Sequence, residues 1–220
     1  SMKRGFDKGP ADGVVDARFQ KLLVDYMGWE NYDIRVAEVQ KVDLAKGEQL
    51  GPAFRAINPR CTVPVIELED GTRLTENAGI IAWAEAAFPD PPLLGRTPAE
   101  KGDIASWNWR VEFEGLLAVA ETLRNTSPAM AHRALPGPTD YEQIAELGVR
   151  GLARLKAFIA ELDGHLAGRE FIAGAGFSIA DITAVVAIDF ARAVRVKLGD
   201  EQPNLKRWRE AMAQRPSMAL

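Results

Sequence analysis

The run Cys-Thr-Val-Pro-Val-Ile-Glu-Leu at residues 61–68 constrains this chain more than any other stretch. Residues 63–68 are rich in β-branched and apolar side chains with no helix-period polar face, so they read as a buried strand. Pro64 cannot donate to a sheet ladder, which puts it at the first turn of the strand, at an edge or on a special peptide bond. Asp70-Gly71 ahead of Leu74 predicts a tight hairpin. Thr75 then precedes Glu76-Asn77-Ala78-Gly79-Ile80-Ile81-Ala82-Trp83, which turns helical. A proline-bearing strand end, a hairpin and a helix start therefore fall close together. Backbone donors at a helix start favour an anion, and Val63, just ahead of Pro64, offers its backbone N–H and C=O to an extended ligand. The stretch is a candidate peptide-binding ledge.

The rest of the chain supplies a frame for that ledge. With 220 residues it can form one large or two small domains with a substantial core. Residues 13–27 carry Val15, Phe19, Leu22, Leu23, Tyr26 and Met27 at helical spacing, ending at Gly28. Residues 2–6 would then serve as a first strand, unless Leu22-Leu23-Val24 is that strand instead. A second strand is expected over residues 39–44, followed by a loop at Lys46-Gly47-Glu48-Gln49 and a short helix over residues 52–57. A helix from Glu76 to about Phe88 ends at Pro89-Asp90-Pro91-Pro92, the clearest boundary in the sequence. Thr97-Pro98-Ala99-Glu100 restarts helix as a capping box. The long helix over residues 100–123 places Ile104, Trp107, Val111 and Ala118 on one face and Trp109, Phe113, Leu116 and Ala120 on another. One face packs in a bundle, and the other lines a cleft or a subunit interface. A proline-rich loop leads to a helix over residues 140–164, with Ile144 and Leu147 at the start of its apolar stripe. Ser178 and Asp181 then form a second box, with Phe177 and Ile182 as a staple. The helix beyond it, residues 179–194, is apolar on most sides and is expected at the centre. A last amphipathic helix covers residues 203–214.

Composition excludes several function classes. A net charge of −4 gives no basic excess for nucleic acid. No run approaches the roughly 20 apolar residues of a membrane span, and none has the length of a signal segment near the start. One cysteine forms no intrachain disulfide and suits a reducing, cytoplasmic setting. His132, His165 and Cys61 are scattered without ligand spacing, so no metal is expected. There is no Gly-x-Ser-x-Gly for a hydrolase, and Gly174-Ala175-Gly176 reads as a turn.

Asn58-Pro59-Arg60-Cys61-Thr62-Val63-Pro64-Val65, the Asp-Gly hairpin and Leu74-Thr75-Glu76-Asn77-Ala78 resemble the glutathione-binding half of the cytosolic glutathione S-transferases. The resemblance covers about residues 34–220. Lys46-Gly47-Glu48, the Thr97 box, Trp107-x-x-Arg110-x-Glu112 and the Phe177-Ser178-Ile179-Ala180-Asp181 block are similar to a fungal and bacterial branch of that family. Members of that branch can lack the usual N-terminal Tyr, Ser or Cys. The resemblance implies an α/β plus all-α architecture: a thioredoxin-like domain over residues 1–88, a linker over 89–96 and an all-helical domain over 97–220.

It also implies roles. Pro64 would be cis, with Val63 pairing through its backbone to the cysteinyl unit of glutathione. Glu76 and Asn77 would hold the γ-glutamyl end, Asn replacing the usual Ser. Gln49 would reach the glycyl end. Cys61 would lie near the ligand, either as a small residue in a tight loop or as a thiol forming a mixed disulfide. Trp109 and Phe113 would line the pocket of the second, electrophilic substrate. The region that normally supplies the thiol's donor, Phe6-Asp7-Lys8-Gly9-Pro10, has none, so no catalytic residue is assigned. The implied protein is a homodimeric transferase with glutathione as substrate. Its rivals are a non-catalytic binding or adaptor module of the same fold and a glutathione-dependent reductase using Cys61.

Overall fold

The computed structural model describes Gln40 and residues 42–215. The expected first strand and first helix lie outside the described residues, and so do positions 39 and 41 of the strand expected over 39–44; Gln40 is in no strand. Val42 and Asp43 are not in a strand, and the chain turns at residues 44–47. A 3₁₀ turn at Glu48–Leu50 follows, and α1 (Pro52–Ile57) starts with proline at its first position, where a missing N–H is harmless.

The hairpin forms as the sequence demands, in a shorter form. β1 (Ile66–Glu67) pairs antiparallel with β2 (Arg73–Leu74), Ile66 opposite Leu74. Gly71 takes a φ of 82°, open to glycine without penalty, and its N–H donates to the Leu68 carbonyl. Residues 63–65, which the sequence assigns to the same strand, precede the pairing. Arg73 reaches from β2 to the carbonyls of Ala56 and Ile57, fastening the hairpin to α1. α2 (Asn77–Ala87) completes this small layer.

Residues 88–97 contain no helix, and the Glu85 carboxylate accepts the N–H groups of Leu93 and Leu94. α3 (Pro98–Arg110) begins with the full Thr97 and Glu100 capping box. The chain then passes through a π-helical turn, Val111–Leu116, into α4 (Leu117–Thr126) without breaking. α5 (Ala145–His165) starts five residues later than the sequence pattern proposes. Its entry is set by α4: Gln143 donates to the carbonyls of Arg124 and Ser127, and Asn125 accepts from the Ile144 N–H. Ile144 consequently stays outside the helix and exposed. α6 (Ile179–Phe190) is buried from Ile179 through Ile188 and continues as a 3₁₀ turn, Ala191–Val194. α7 (Pro203–Ala213) closes the bundle through Leu205, Trp208 and Met212.

The core lies among α3, the π turn, α4, α5, α6 and α7, with Ile81, Leu93 and Leu94 packed onto it from α2 and the linker. The small layer thus rests on the bundle instead of standing free. No helix among the described residues is long and apolar enough to cross a membrane.

Candidate functional site

The ledge is built on Asn58, a polar side chain only 1% exposed. Its Nδ2 donates to the Thr62 carbonyl at 2.8 Å and to Thr62 Oγ1 at 3.1 Å. Its Oδ1 accepts the Arg60 N–H at 3.0 Å, and its carbonyl accepts the Cys61 N–H. The buried Asn58 amide thus satisfies two backbone groups of the loop, the Thr62 carbonyl and the Arg60 N–H, while Pro59 and Arg60 themselves face solvent. Cys61 adopts a φ of 56°, unusual for a residue with a Cβ, held there by these bonds. The Val63-Pro64 peptide bond is cis, as the resemblance implies. Val63 is half-buried and Pro64 buried.

α2 begins beside this loop, because Arg60 Nε donates to Glu76 Oε1 at 3.0 Å. Glu76 is the N-cap residue, with extended backbone, and its side chain caps nothing. Its carboxylate is exposed. Asn77 follows with its Oδ1 buried and without a hydrogen-bond partner among the described residues. Gln49 shares that property: it is 7% exposed, and its Oε1 is equally unpartnered. Gln49, which the resemblance assigns to the glycyl end, is folded inward by the Glu48–Leu50 turn. Leaving a buried amide oxygen unmade costs about 1–3 kcal/mol, and each of these oxygens is an acceptor that a water or an N–H donor can satisfy. Cys61 is enclosed, 3% exposed, with its Sγ 3.6 Å from the Pro59 carbonyl oxygen. A redox thiol needs access and a positive setting, and this enclosure favours the packing role.

Trp109 and Phe113 stack with ring centroids 5.6 Å apart and stay 59% and 42% exposed. They line a groove of about 350 Å³ with Arg110, Glu114, Arg154, Ala157, Phe158 and Glu161. All of these belong to α3, the π turn and α5. Arg154 is held in this lining: its guanidinium lies 4.5 Å from the Phe113 ring centroid, donates to the Phe113 carbonyl and pairs with Glu114 and Glu121. Arg110 pairs with Glu161 at the rim. Four apolar side chains and four charged ones thus line the groove.

Sequence reading missed three arrangements. Arg60 entered it only as the neighbour of Cys61, because a contact across 16 residues leaves no local signature. A polar chain runs from Thr183 Oγ1 to Asn108 Oδ1 at 2.7 Å and from Asn108 Nδ2 to Glu112 Oε1 at 2.9 Å. Burial pushes the Glu112 carboxyl above its ordinary value, and the Asn108 bond opposes that. His132 sits with Asp140 and Glu142, their ligand atoms within 4.8 Å of one another, so the histidines are not as isolated as their spacing implies. All three are exposed, with His132 Nδ1 3.5 Å from Asp140 Oδ2 and 3.0 Å from Glu142 Oε1. His165 is a packing residue, its ring 3.7 Å from that of Trp107 and bonded to the Ile172 carbonyl. Residues 6–10, the region that would supply the thiol's donor, lie outside the described residues.

Comparison with known proteins places these features. The family model for the glutathione S-transferase N-terminal domain matches residues 33–87, and that for the C-terminal domain matches residues 129–216. Glutathione S-transferase 2 of Saccharomyces cerevisiae is 36% identical over 179 residues, 81% of this chain and 74% of that protein. The crystal structure of Gtt2 from Saccharomyces cerevisiae superposes with a TM-score of 0.79 at 32% identity, covering 94% of this chain and 95% of the other. Elongation factor 1-gamma 1 of Oryza sativa subsp. japonica is 28% identical over 80% of this chain, which spans 41% of that longer protein. The architecture is accordingly a thioredoxin-like N-terminal region, with a small two-stranded sheet among its described residues, followed by a helical C-terminal domain. With both halves matched in order and a relative of this identity aligned along most of its length, the chain belongs to the glutathione S-transferase family.

Proposed function

We propose that this protein conjugates the thiolate of glutathione to an electrophilic, partly apolar small molecule. The observation that carries the reading is the unpartnered, buried Oδ1 of Asn77, directly after the exposed acid Glu76 and one ion pair away from the cis Val63-Pro64 loop. In this reading the tripeptide lies extended along residue 63, its cysteinyl N–H and C=O paired with the Val63 main chain. Glu76 accepts from the γ-glutamyl ammonium, Asn77 engages the same end, and Gln49 takes the glycyl end. A free thiol ionises near pH ~8.5, and nearby N–H donors and helix N-termini lower that value. The thiolate sulfur then forms the bond to the electrophilic carbon, whose leaving group or π bond takes the displaced electron pair. Holding both reactants oriented supplies much of the acceleration. Residues 1–88 act as the glutathione-binding domain, 89–96 as linker and 97–220 as the domain that receives the electrophile.

Trp109 and Phe113 hold the apolar body of the electrophile, in a groove within the roughly 300–1,000 Å³ range of small-molecule sites. The chain works in the cytoplasm as a homodimer, for which exposed Leu117, Tyr141, Ile144 and Val149 supply apolar surface. Turnover of a chloronitrobenzene by wild type and Glu76→Ala tests the conjugation: activity in the first and a sharply raised glutathione KM in the second support it. Trp109→Ala, measured for electrophile KM and for mass by light scattering, tests the groove. A raised KM at unchanged mass supports it, and a monomer with unchanged KM assigns the groove to subunit contact instead.

The similarity to an elongation factor subunit favours one second reading, a glutathione-binding or adaptor module without chemistry. Glutathione binding with no turnover across a panel of electrophiles is its signature.

A further inference from the structure

The loop joining α4 to α5 folds back on itself and carries a histidine beside two carboxylates. His132 Nδ1 lies 3.0 Å from Glu142 Oε1 and 3.5 Å from Asp140 Oδ2, and the three ligand atoms fall within 4.8 Å of one another. We propose that His132, Asp140 and Glu142 form a binding site for a divalent transition metal, which clasps the two limbs of this loop. The proposal is independent of the glutathione reading. It reverses the expectation, drawn from spacing along the chain, that the histidines have no ligand partners.

The backbone holds the three side chains together. Arg133 and Tyr141 form a bridge, with the Ala134 N–H donating to the Tyr141 carbonyl at 3.2 Å. His132 directly precedes one bridge residue, and Asp140 and Glu142 flank the other, where the neighbours of an extended position share a face. The His132 limb is fastened further. The Arg133 N–H donates to the Met130 carbonyl, Arg124 Nη1 donates to the Arg133 carbonyl at 2.9 Å, and Arg133 Nη2 reaches the Leu44 carbonyl at 3.3 Å. The separations suit a metal: ligands about 2.0–2.2 Å from Zn²⁺ stand about 3.3–3.6 Å apart in a tetrahedron, so the two imidazole–carboxylate distances need only small adjustment. Charge points the same way. A neutral imidazole with its N–H at Nδ1 serves one carboxylate and leaves the other uncompensated, whereas a divalent cation on Nδ1 answers both. One nitrogen with two oxygens selects Zn²⁺ and similar ions over Mg²⁺, which takes oxygen ligands and keeps its waters. The side chains are exposed, which leaves the remaining coordination positions to water.

The test is calorimetric titration of the whole protein, stripped with a chelator and carrying no affinity tag, with Zn²⁺ and separately with Mg²⁺. Zn²⁺ should bind with a dissociation constant below about 100 μM, and Mg²⁺ at the same concentrations should give no saturable heat. His132→Ala, Asp140→Asn and Glu142→Gln should each weaken Zn²⁺ by about tenfold or more. Their far-ultraviolet dichroism should match wild type, because all three side chains are exposed. At about a hundredfold excess over the dissociation constant, Zn²⁺ should raise the wild-type melting temperature by about 5 °C and leave that of His132→Ala in place. No saturable Zn²⁺ binding up to about 1 mM overturns the proposal. Unchanged Zn²⁺ affinity in His132→Ala overturns it by placing the metal elsewhere. Mg²⁺ bound as tightly as Zn²⁺ overturns it by reducing the cluster to an acidic surface. None of these outcomes bears on glutathione binding.

Discussion

Replacing Asp181 with alanine should remove a large share of the stability of the helical domain. The Asp181 side chain is fully buried and accepts from the N–H groups of Ile172 at 3.0 Å and Ser178 at 3.0 Å, from Trp208 Nε1 at 3.1 Å and from Ser178 Oγ at 3.3 Å. One carboxylate therefore ties the start of α6 to the segment before it and to α7. Alanine strands the Ile172 and Trp208 donors in buried surroundings, at about 1–3 kcal/mol each, and removes part of a helix cap worth about 0.5–2 kcal/mol. Allowing for overlap, the loss is about 3–6 kcal/mol, against a total of about 5–15 kcal/mol for a typical domain. Asp181→Asn keeps one acceptor oxygen and should cost about half as much. Urea unfolding followed by tryptophan fluorescence and far-ultraviolet dichroism reads both. The two variants also differ from wild type in pH dependence. Burial holds the Asp181 carboxyl above its ordinary value, the four hydrogen bonds pulling the other way. A raised carboxyl favours the protonated folded state, so wild-type stability gains a component below about pH 4 that is lost as pH climbs through the folded value. Asp181→Asn lacks that component, and its deficit relative to wild type should shrink as pH rises across the window. A loss under about 1 kcal/mol in Asp181→Ala would refute the reasoning, since it would mean the stranded donors find other partners.

Three further outcomes follow from the same structure. Gly151→Ala should destabilise the packing of α4 on α5 by about 1–3 kcal/mol, read by thermal melting, because an added Cβ would stand 2.7 Å from Thr122 Oγ1 and 2.8 Å from the Ala118 carbonyl. Glu112→Gln should gain stability relative to wild type as pH rises above about 4.3, since burial raises the Glu112 carboxyl and ionising it then costs the folded state; urea midpoints at pH 4 and pH 7 measure this. Cys61→Ser should keep full conjugating activity in a kinetic assay, and abolished activity with the fold intact would restore the thiol to the reaction.

What could be read ahead of the structure was what short-range chemistry decides. Thr97 with Glu100, and Ser178 with Asp181, are spaced three apart, and each fixes a helix start with atoms a few residues away. Asp70-Gly71 fixes the hairpin in the same way. The periodicity of Ile104, Trp107, Val111 and Ala118 named the inner face of the long helix; Ile104, Val111 and Ala118 are buried and Trp107 is half-buried. The features that escaped depend on distant partners. The π turn at Val111–Leu116 has no residue signature. The late start of α5 is set by Asn125 and by the bonds Gln143 makes to α4. Gln49 lies among polar neighbours that suggest an open loop, yet folding turns it inward. Within the candidate site, Val63, Pro64, Glu76 and Asn77 could be proposed from the motif. The pairing of Arg60 with Glu76 could not, because only the fold brings the two together.

The central claim is that a tripeptide lies stretched along the main chain of residue 63 with its amino-acid head at residues 76 and 77. A crystal structure of the protein soaked with glutathione tests it most directly. The account predicts density for the cysteinyl unit hydrogen-bonded to the Val63 N–H and C=O, with the γ-glutamyl end against Glu76 and Asn77. An empty ledge at saturating glutathione, or the ligand bound elsewhere, would contradict it.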